Sequence, residues 1–172
     1  MPMIYMQYLA KCKTKRWPVE KFGQIASLLP IKTVIVGSRS DTNIADEIVS
    51  LSNGKAIFLA GKTDLKDLID VMCPAQFVVS NDSGPMHIAA TLGSPVFAIF
   101  SPTDSIRTGP YGEGHTIIKS DTPCALCFKK SCDDMKCMKS VSVNEGFETI
   151  TAKRSRRSQL IMLNFPRISQ NQ

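Results

Sequence analysis

An α/β domain, a parallel sheet with helices packed on both faces, is the fold class this 172-residue sequence predicts. Two observations carry the expectation. Between Pro30 and Phe100, short apolar runs alternate with segments of helical period, and no long irregular stretch separates them. The apolar runs are continuous rather than every second residue, as suits strands buried on both faces. The domain expected from this pattern is Rossmann-like.

Taken in order, residues 1–14 are expected to be an irregular N-terminal segment. Val19 to Leu29 then places Phe22, Ile25, Ala26 and Leu29 on one face at helical spacing, with Pro18 at the first turn. Thr33 to Gly37 is a β-branched run closed by glycine, a strand, and Asp41 to Leu51 returns to helical period. The alternation repeats as strand Ala56–Ala60, helix Leu65–Met72, strand Phe77–Ser80, helix Met86–Leu92 and strand Val96–Phe100. Beyond it lie a Pro/Gly-punctuated loop (101–114), a short strand at Thr116–Lys119 and a cysteine-rich loop (121–138). Ser142 to Glu145 fits a capping box before a short helix through Ile150. The domain is therefore expected over 15–150, and the basic, serine-rich tail 151–172 is expected to be disordered.

The formal charge is +6, which first suggests an anionic partner. Five basic residues and no acid lie between Ala152 and Gln172, however, so residues 1–151 carry only +1. A basic surface for nucleic acid is not expected of the body of the chain. No apolar stretch reaches the roughly 18–20 residues needed to cross a bilayer. Met1 to Ala10 has neither a basic lead nor a small-residue cleavage site, so no secretory signal is expected, and the default compartment is the cytoplasm with reduced thiols.

The densest chemical signal is FVVSNDSGPMHIAATLG, Phe77 to Gly93. An apolar strand runs into Asn81-Asp82-Ser83-Gly84, then Pro85 stands where a helix starts. Gly84 permits close backbone approach, and the free amides of the first helical turn favour an anion such as phosphate. Asp82 would repel a phosphate at contact, so its carboxylate suits neutral hydroxyls such as those of a sugar. The same pattern is met if Asp82 or Ser83 caps the helix. His87, one turn on, faces the same mouth or packs locally. No nucleophile elbow surrounds Ser83, and nucleophilic catalysis is set aside.

Four other features bear on chemistry. Lys15 opens the first helix, where a cation gains nothing from the dipole and a ligand is the alternative use. Gly61-Lys62-Thr63 ends like a P-loop, but Ala56 stands where that motif needs glycine, and a turn with Thr63 as N-cap is the plainer reading. Asp41 follows a strand end, where such sheets place an acid on a ribose; a helix cap is equally compatible. Cys124, Cys127, Cys132 and Cys137 are enough thiols for a structural metal, although their spacing matches no standard finger, and free thiols are the alternative. Cys12 and Cys73 are expected to be packing residues.

Taken together, Lys15–Phe22 (KRWPVEKF), Leu59–Leu65 (LAGKTDL), Val78–Asp104, Arg107–Gly112 (RTGPYG) and the C-x2-C segment resemble the ADP-heptose:lipopolysaccharide heptosyltransferase family, glycosyltransferase family nine. The resemblance covers about residues 15–150. It implies the C-terminal, donor-binding half of a GT-B glycosyltransferase, which binds an ADP-sugar and transfers the sugar, heptose, with inversion to lipopolysaccharide core; no cofactor is required. By that resemblance Lys15 contacts the donor diphosphate, where one charge-assisted bond contributes roughly 1.5–3 kcal/mol. Asp82 holds sugar hydroxyls, Ser83 and Gly84 meet the diphosphate, His87 follows in the motif, Lys62 and Thr63 lie near the adenine, and Asp41 falls where the family uses a longer Glu on the ribose. The acceptor site and catalytic base belong to an N-terminal half, and peripheral membrane association accompanies such an acceptor. A nucleotide-binding remnant without activity, and a cysteine-cluster module for metal or nucleic acid, are the competing readings.

Overall fold

The computed structural model describes residues 3–8 and 10–163, with side chains through Ser155. Six parallel strands form one sheet: β1 (Met3–Gln7), β2 (Thr33–Val36), β3 (Ala56–Phe58), β4 (Ala75–Asn81), β5 (Val96–Phe100) and β6 (Thr116–Lys119), in the spatial order β3-β2-β1-β4-β5-β6. This is the doubly wound order, in which the winding direction reverses between β1 and β4 and leaves a crevice at their carboxyl ends.

The expectation of an irregular segment over 1–14 is corrected here. Residues 3–7 form the strand at the middle of the sheet, pairing β2 on one side and β4 on the other. The run Met-Ile-Tyr-Met-Gln is apolar without alternation because both faces are covered: Ile4 and Met6 enter one core, Tyr5 the other. The first core lies under α1 (Val19–Leu28), α2 (Thr42–Leu51) and the last helix, and is built on Trp17, Phe22, Ile25, Ile48, Phe77 and Phe97. The second lies under α3 (Leu65–Met72) and α4 (Gly84–Thr91), on Met72, Val78, Met86, Ala89 and Phe100. Helices therefore cover both faces, as the alternation of the sequence requires.

Helix ends depart from expectation in two places. The N-cap of α3 is Asp64, not Thr63: Asp64 accepts from the Asp67 amide at 2.8 Å, and Asp67 accepts in return from the Asp64 amide at 3.1 Å, a reciprocal capping box. After α5 (Ser105–Thr108) and α6 (Lys136–Ser140), the last helix, α7, does not stop at Ile150 but runs Val143–Leu163. The expectation of disorder therefore fails for 151–163, and residues 164–172 lie outside the described residues. Residues 151–163 contain no Gly or Pro and are mostly good helix formers, so a helix once docked continues through them. The docking is visible: Ile150 is fully buried, a Cβ on Gly146 would lie 3.1 Å from Ile25, and the Arg154 guanidinium sits 5.8 Å from the Phe77 ring. Among the described residues no helix is long and apolar enough to cross a membrane.

Candidate functional site

The crevice between the ends of β1 and β4 is built around Asn81 and Asp82. Asn81 is fully buried: its Oδ1 accepts from the Trp17 amide at 3.0 Å, and its Nδ2 donates to the Tyr8 carbonyl. One amide thus fixes the end of β4 against both the end of β1 and the start of α1. The Trp17 indole N–H donates in turn to the Val141 carbonyl at 3.0 Å, and the Lys21 ammonium donates to the Lys139 and Val141 carbonyls. Burial holds the Lys21 amine below its ordinary value, with Glu145 and Glu20 opposing that shift.

Asp82 follows directly and is only 6% exposed. Lys15, 67 residues earlier, donates from Nζ to its Oδ2 at 2.6 Å, and Thr103 Oγ1 donates to the same oxygen at 2.6 Å. Both donors converge on Oδ2. Oδ1 has no hydrogen-bond partner among the described residues, so one oxygen is fixed and the other is left to accept from hydroxyls. Sequence reasoning missed Thr103; it closes the strand β5 turn at the end of the quoted Val78–Asp104 block, and only its distance to Asp82 marks it.

Ser83 holds the N-cap position of α4, but neither its side chain nor that of Asp82 bonds a first-turn amide. The Ser83 hydroxyl instead donates to Gln7 Oε1 at 2.8 Å, and no side chain caps the first turn, where Pro85 lacks an N–H in any case. The capping alternative is therefore not what the structure adopts, and the α4 amides open toward the crevice.

Two cavities lie along this edge. The smaller, about 370 Å³, is lined by Cys12, Lys15, Asp82, His87 and Thr108, and the larger, about 480 Å³, by Gly37, Ser38, Thr63, Asp64 and Leu68 among others. Lys11, Ser83 and Gly84 line both. Lys15, Asp82, Ser83, Gly84 and His87 are thus brought together, with Thr63 next door. Asp41 and Lys62 are not. The buried Asp41 carboxylate turns back on its own loop, accepting from the Ser38 amide and hydroxyl at 2.6 Å each, so Ser38 rather than Asp41 faces the cavity. Lys62 places its ammonium 4.5 Å from the centre of the Phe58 ring.

The cysteine-rich loop buttresses the site from behind. Leu126 and Phe128 donate their amides to the Ser101 and Pro102 carbonyls at 2.9 and 2.8 Å, and Thr14 donates to the Lys129 carbonyl at 2.8 Å. The loop thereby ties the segment carrying Thr103 to the turn carrying Lys15. Cys124, Cys127, Cys132 and Cys137 line one cavity of about 300 Å³. Among the described residues no three His, Cys, Asp or Glu side chains are grouped so as to hold a metal ion. The Met135 amide donates to Cys132 Sγ at 3.3 Å, and all six cysteines are free. Cys73, expected to pack, is exposed at the end of α3, and Cys12 is half-buried against Thr14.

The model of glycosyltransferase family 9 (heptosyltransferase) matches residues 1–138. Lipooligosaccharide heptosyltransferase 2 of Haemophilus ducreyi is 37% identical over 114 residues, which are 61% of this chain and 33% of that protein. Its counterpart in Campylobacter jejuni (strain NCTC 11168) is 28% identical over 143 residues, 78% of this chain and 45% of that protein. In fold, the structure of E. coli ADP-heptose lps heptosyltransferase II superimposes with a TM-score of 0.78 at 24% identity, over 91% of this chain and 47% of that one. The chain thus spans about a third to under half of the length of these relatives.

Proposed function

Because this chain belongs to glycosyltransferase family 9, we propose that it is the donor-binding half of a glycosyltransferase that moves a sugar, heptose, from an ADP-linked donor to a lipopolysaccharide core. The observation that carries this reading is the Asp82 carboxylate, with Lys15 and Thr103 both on Oδ2 and its other oxygen without a partner among the described residues. A carboxylate so held accepts hydrogen bonds from sugar hydroxyls through Oδ1. The nucleoside lies in the larger cavity beside Ser38 and Thr63, and the sugar in the smaller one beside Asp82 and His87.

In an inverting transfer the acceptor hydroxyl, deprotonated by a base, attacks the anomeric carbon while the bond to the diphosphate breaks and its electron pair leaves with ADP. Charge therefore grows on the diphosphate. The Lys15 ammonium has three donors and spends one on Asp82, leaving the others for a phosphate oxygen. The uncapped α4 amides at Ser83 and Gly84 add fixed dipoles there. The base and the acceptor site come from outside these 172 residues, and so does any contact with a membrane surface that the acceptor requires. Asp41 acts in this reading by shaping the Ser38 turn rather than by touching ribose. The cysteine-rich loop acts by bracing the site through the backbone of Leu126, Phe128 and Lys129; no step depends on a metal or other cofactor.

Calorimetric titration with ADP-heptose, ADP and UDP-sugars tests the reading. Adenine-selective binding, with a sugar increment that Asp82→Ala removes, is the expected result. Absence of binding to all of these ligands overturns it. Sugar transfer by the 172-residue chain alone would overturn the assignment of the base to another segment.

A further inference from the structure

The two cavities share one short stretch of wall, formed by Lys11, Ser83 and Gly84, and two polar side chains there are left unused by the roles above: Lys11 on the wall itself, and Gln7, which lines the larger cavity and holds the Ser83 hydroxyl. Gln7 ends β1 at the reversal of the sheet and is 2% exposed. Its Oε1 accepts from Ser83 at 2.8 Å and, at 3.3 Å, from Ser80. Its Nε2 has no hydrogen-bond partner among the described residues. The sealed and unpartnered side-chain polar atoms among those residues are Thr33 Oγ1 and Ser101 Oγ. Gln7 Nε2, without a partner among the described residues, is not among these sealed atoms, and Gln7 lines the larger cavity. A buried amide donor without an acceptor is costly, on the order of 1–3 kcal/mol, and is relieved when a ligand oxygen arrives.

Lys11 stands across the same wall, lining both cavities. It is exposed and, unlike Lys15, has no carboxylate within ion-pair distance among the described residues. The charge balance follows. Lys15 and Asp82 cancel as a pair, so they add little net positive charge for two ionised phosphates; among the described residues lining these cavities, Lys11 is a cation with no carboxylate paired to it.

We propose that Gln7 Nε2 and Lys11 Nζ cradle the diphosphate of a nucleoside diphosphate ligand where it crosses from the larger cavity to the smaller one. The inference rests on the donor-binding reading above and adds two residues to it. A ligand with a nucleoside in one cavity and a sugar in the other must lay its linker on the wall they share, and the linker is the part that carries charge. Gln7 supplies a neutral donor fixed by Ser83, and Lys11 a mobile cation, so phosphate is met from both sides of the α4 amides.

The test is calorimetric binding of ADP and of adenosine to the full chain, with Lys11→Met and Gln7→Glu. Lys11→Met removes an exposed charge and leaves the fold intact. Gln7→Glu keeps an acceptor for the Ser83 hydroxyl but puts a carboxylate oxygen where the donor was. The expected result is a loss of about 10-fold or more in ADP affinity for each variant, from one charge-assisted hydrogen bond, with adenosine affinity unchanged. Urea unfolding of both variants checks that the fold is retained; Lys11→Met carries the test if Gln7→Glu does not fold. Unchanged ADP affinity in Lys11→Met, or an equal loss for ADP and adenosine, overturns the cradle. Wild-type protein that binds no ADP overturns the donor-binding reading as well, whereas wild-type binding with unaffected variants overturns this inference alone.

Discussion

Thr103→Val is the most informative single change at the candidate site. Valine matches threonine in shape and removes only the hydroxyl, which donates to Asp82 Oδ2 at 2.6 Å. Hydrogen bonds to a charged partner contribute about 1.5–3 kcal/mol. Asp82 is 6% exposed, so water has little room to replace the lost donor and the upper part of that range applies. Lys15 remains on the same oxygen, at 2.6 Å, and prevents complete loss of the carboxylate's partners. With a urea m-value of about 2 kcal/mol/M, the midpoint of unfolding should fall by roughly 1.1–1.5 M. Thr103→Ser keeps the hydroxyl and should recover most of the difference. A double-mutant cycle with Asp82→Asn isolates the pair, and its coupling energy should lie at about 1 kcal/mol or more. A midpoint for Thr103→Val within about 0.2 M of wild type, or an additive cycle, would show that the hydroxyl does not hold the carboxylate, and the division of labour between Oδ2 and Oδ1 would fall with it.

Three further outcomes are expected. Asn81→Ala leaves the Trp17 amide and the Tyr8 carbonyl without their buried partner and should cost about 2–5 kcal/mol by urea unfolding; Asn81→Asp keeps the acceptor for Trp17 but sets a buried carboxylate oxygen against the Tyr8 carbonyl, and should cost at least as much. Gly23→Ala should destabilise by about 1–3 kcal/mol in spite of alanine's higher helix propensity, because a Cβ there would lie 2.4 Å from Leu51 Cβ; Leu51→Ala should not rescue it, since the clashing atom remains, and rescue would refute the packing argument. Burial raises the Tyr5 and Tyr8 hydroxyls above their ordinary value of 10.0, with the Arg16 charge partly opposing this at Tyr8. The unfolded chain then loses these protons first, so stability is intact below pH 10 and falls as pH rises above it. Replacing each tyrosine by Phe should flatten that alkaline limb in a pH series of urea melts.

Much of the scaffold is legible in the sequence. The continuous apolar runs at Thr33–Val36, Phe77–Ser80 and Val96–Phe100 are strands because a sheet covered on both faces wants apolar residues at every position. The helices between them follow from period alone. The Asn81–Pro85 turn was legible for a similar reason: Pro85 fits only the start of a helix, and Gly84 leaves the backbone open in front of it. What the residues could not reveal was whether Asp82 and Ser83 cap that helix, since capping and ligand binding ask for the same residue types.

Contacts across long stretches of chain decided the rest. The Lys15–Asp82 pair joins residues 67 apart, Thr103 reaches the same carboxylate from another turn, and Gln7 enters the site only because Met3–Gln7 inserts between β2 and β4. A strand of five residues at the start of the chain has no partner in sequence to announce it; its pairing energy comes from neighbours 26 or more positions away. Asp41 shows the converse, a residue well placed in sequence whose carboxylate is taken by Ser38 three residues before it. The sequence by itself therefore determined which elements form and what chemistry the β4–α4 turn can carry, because both depend on local period and backbone geometry. Only the tertiary structure decided which side chains meet at that turn, because the order of strands in the sheet, and not the order of residues in the chain, sets who stands beside whom.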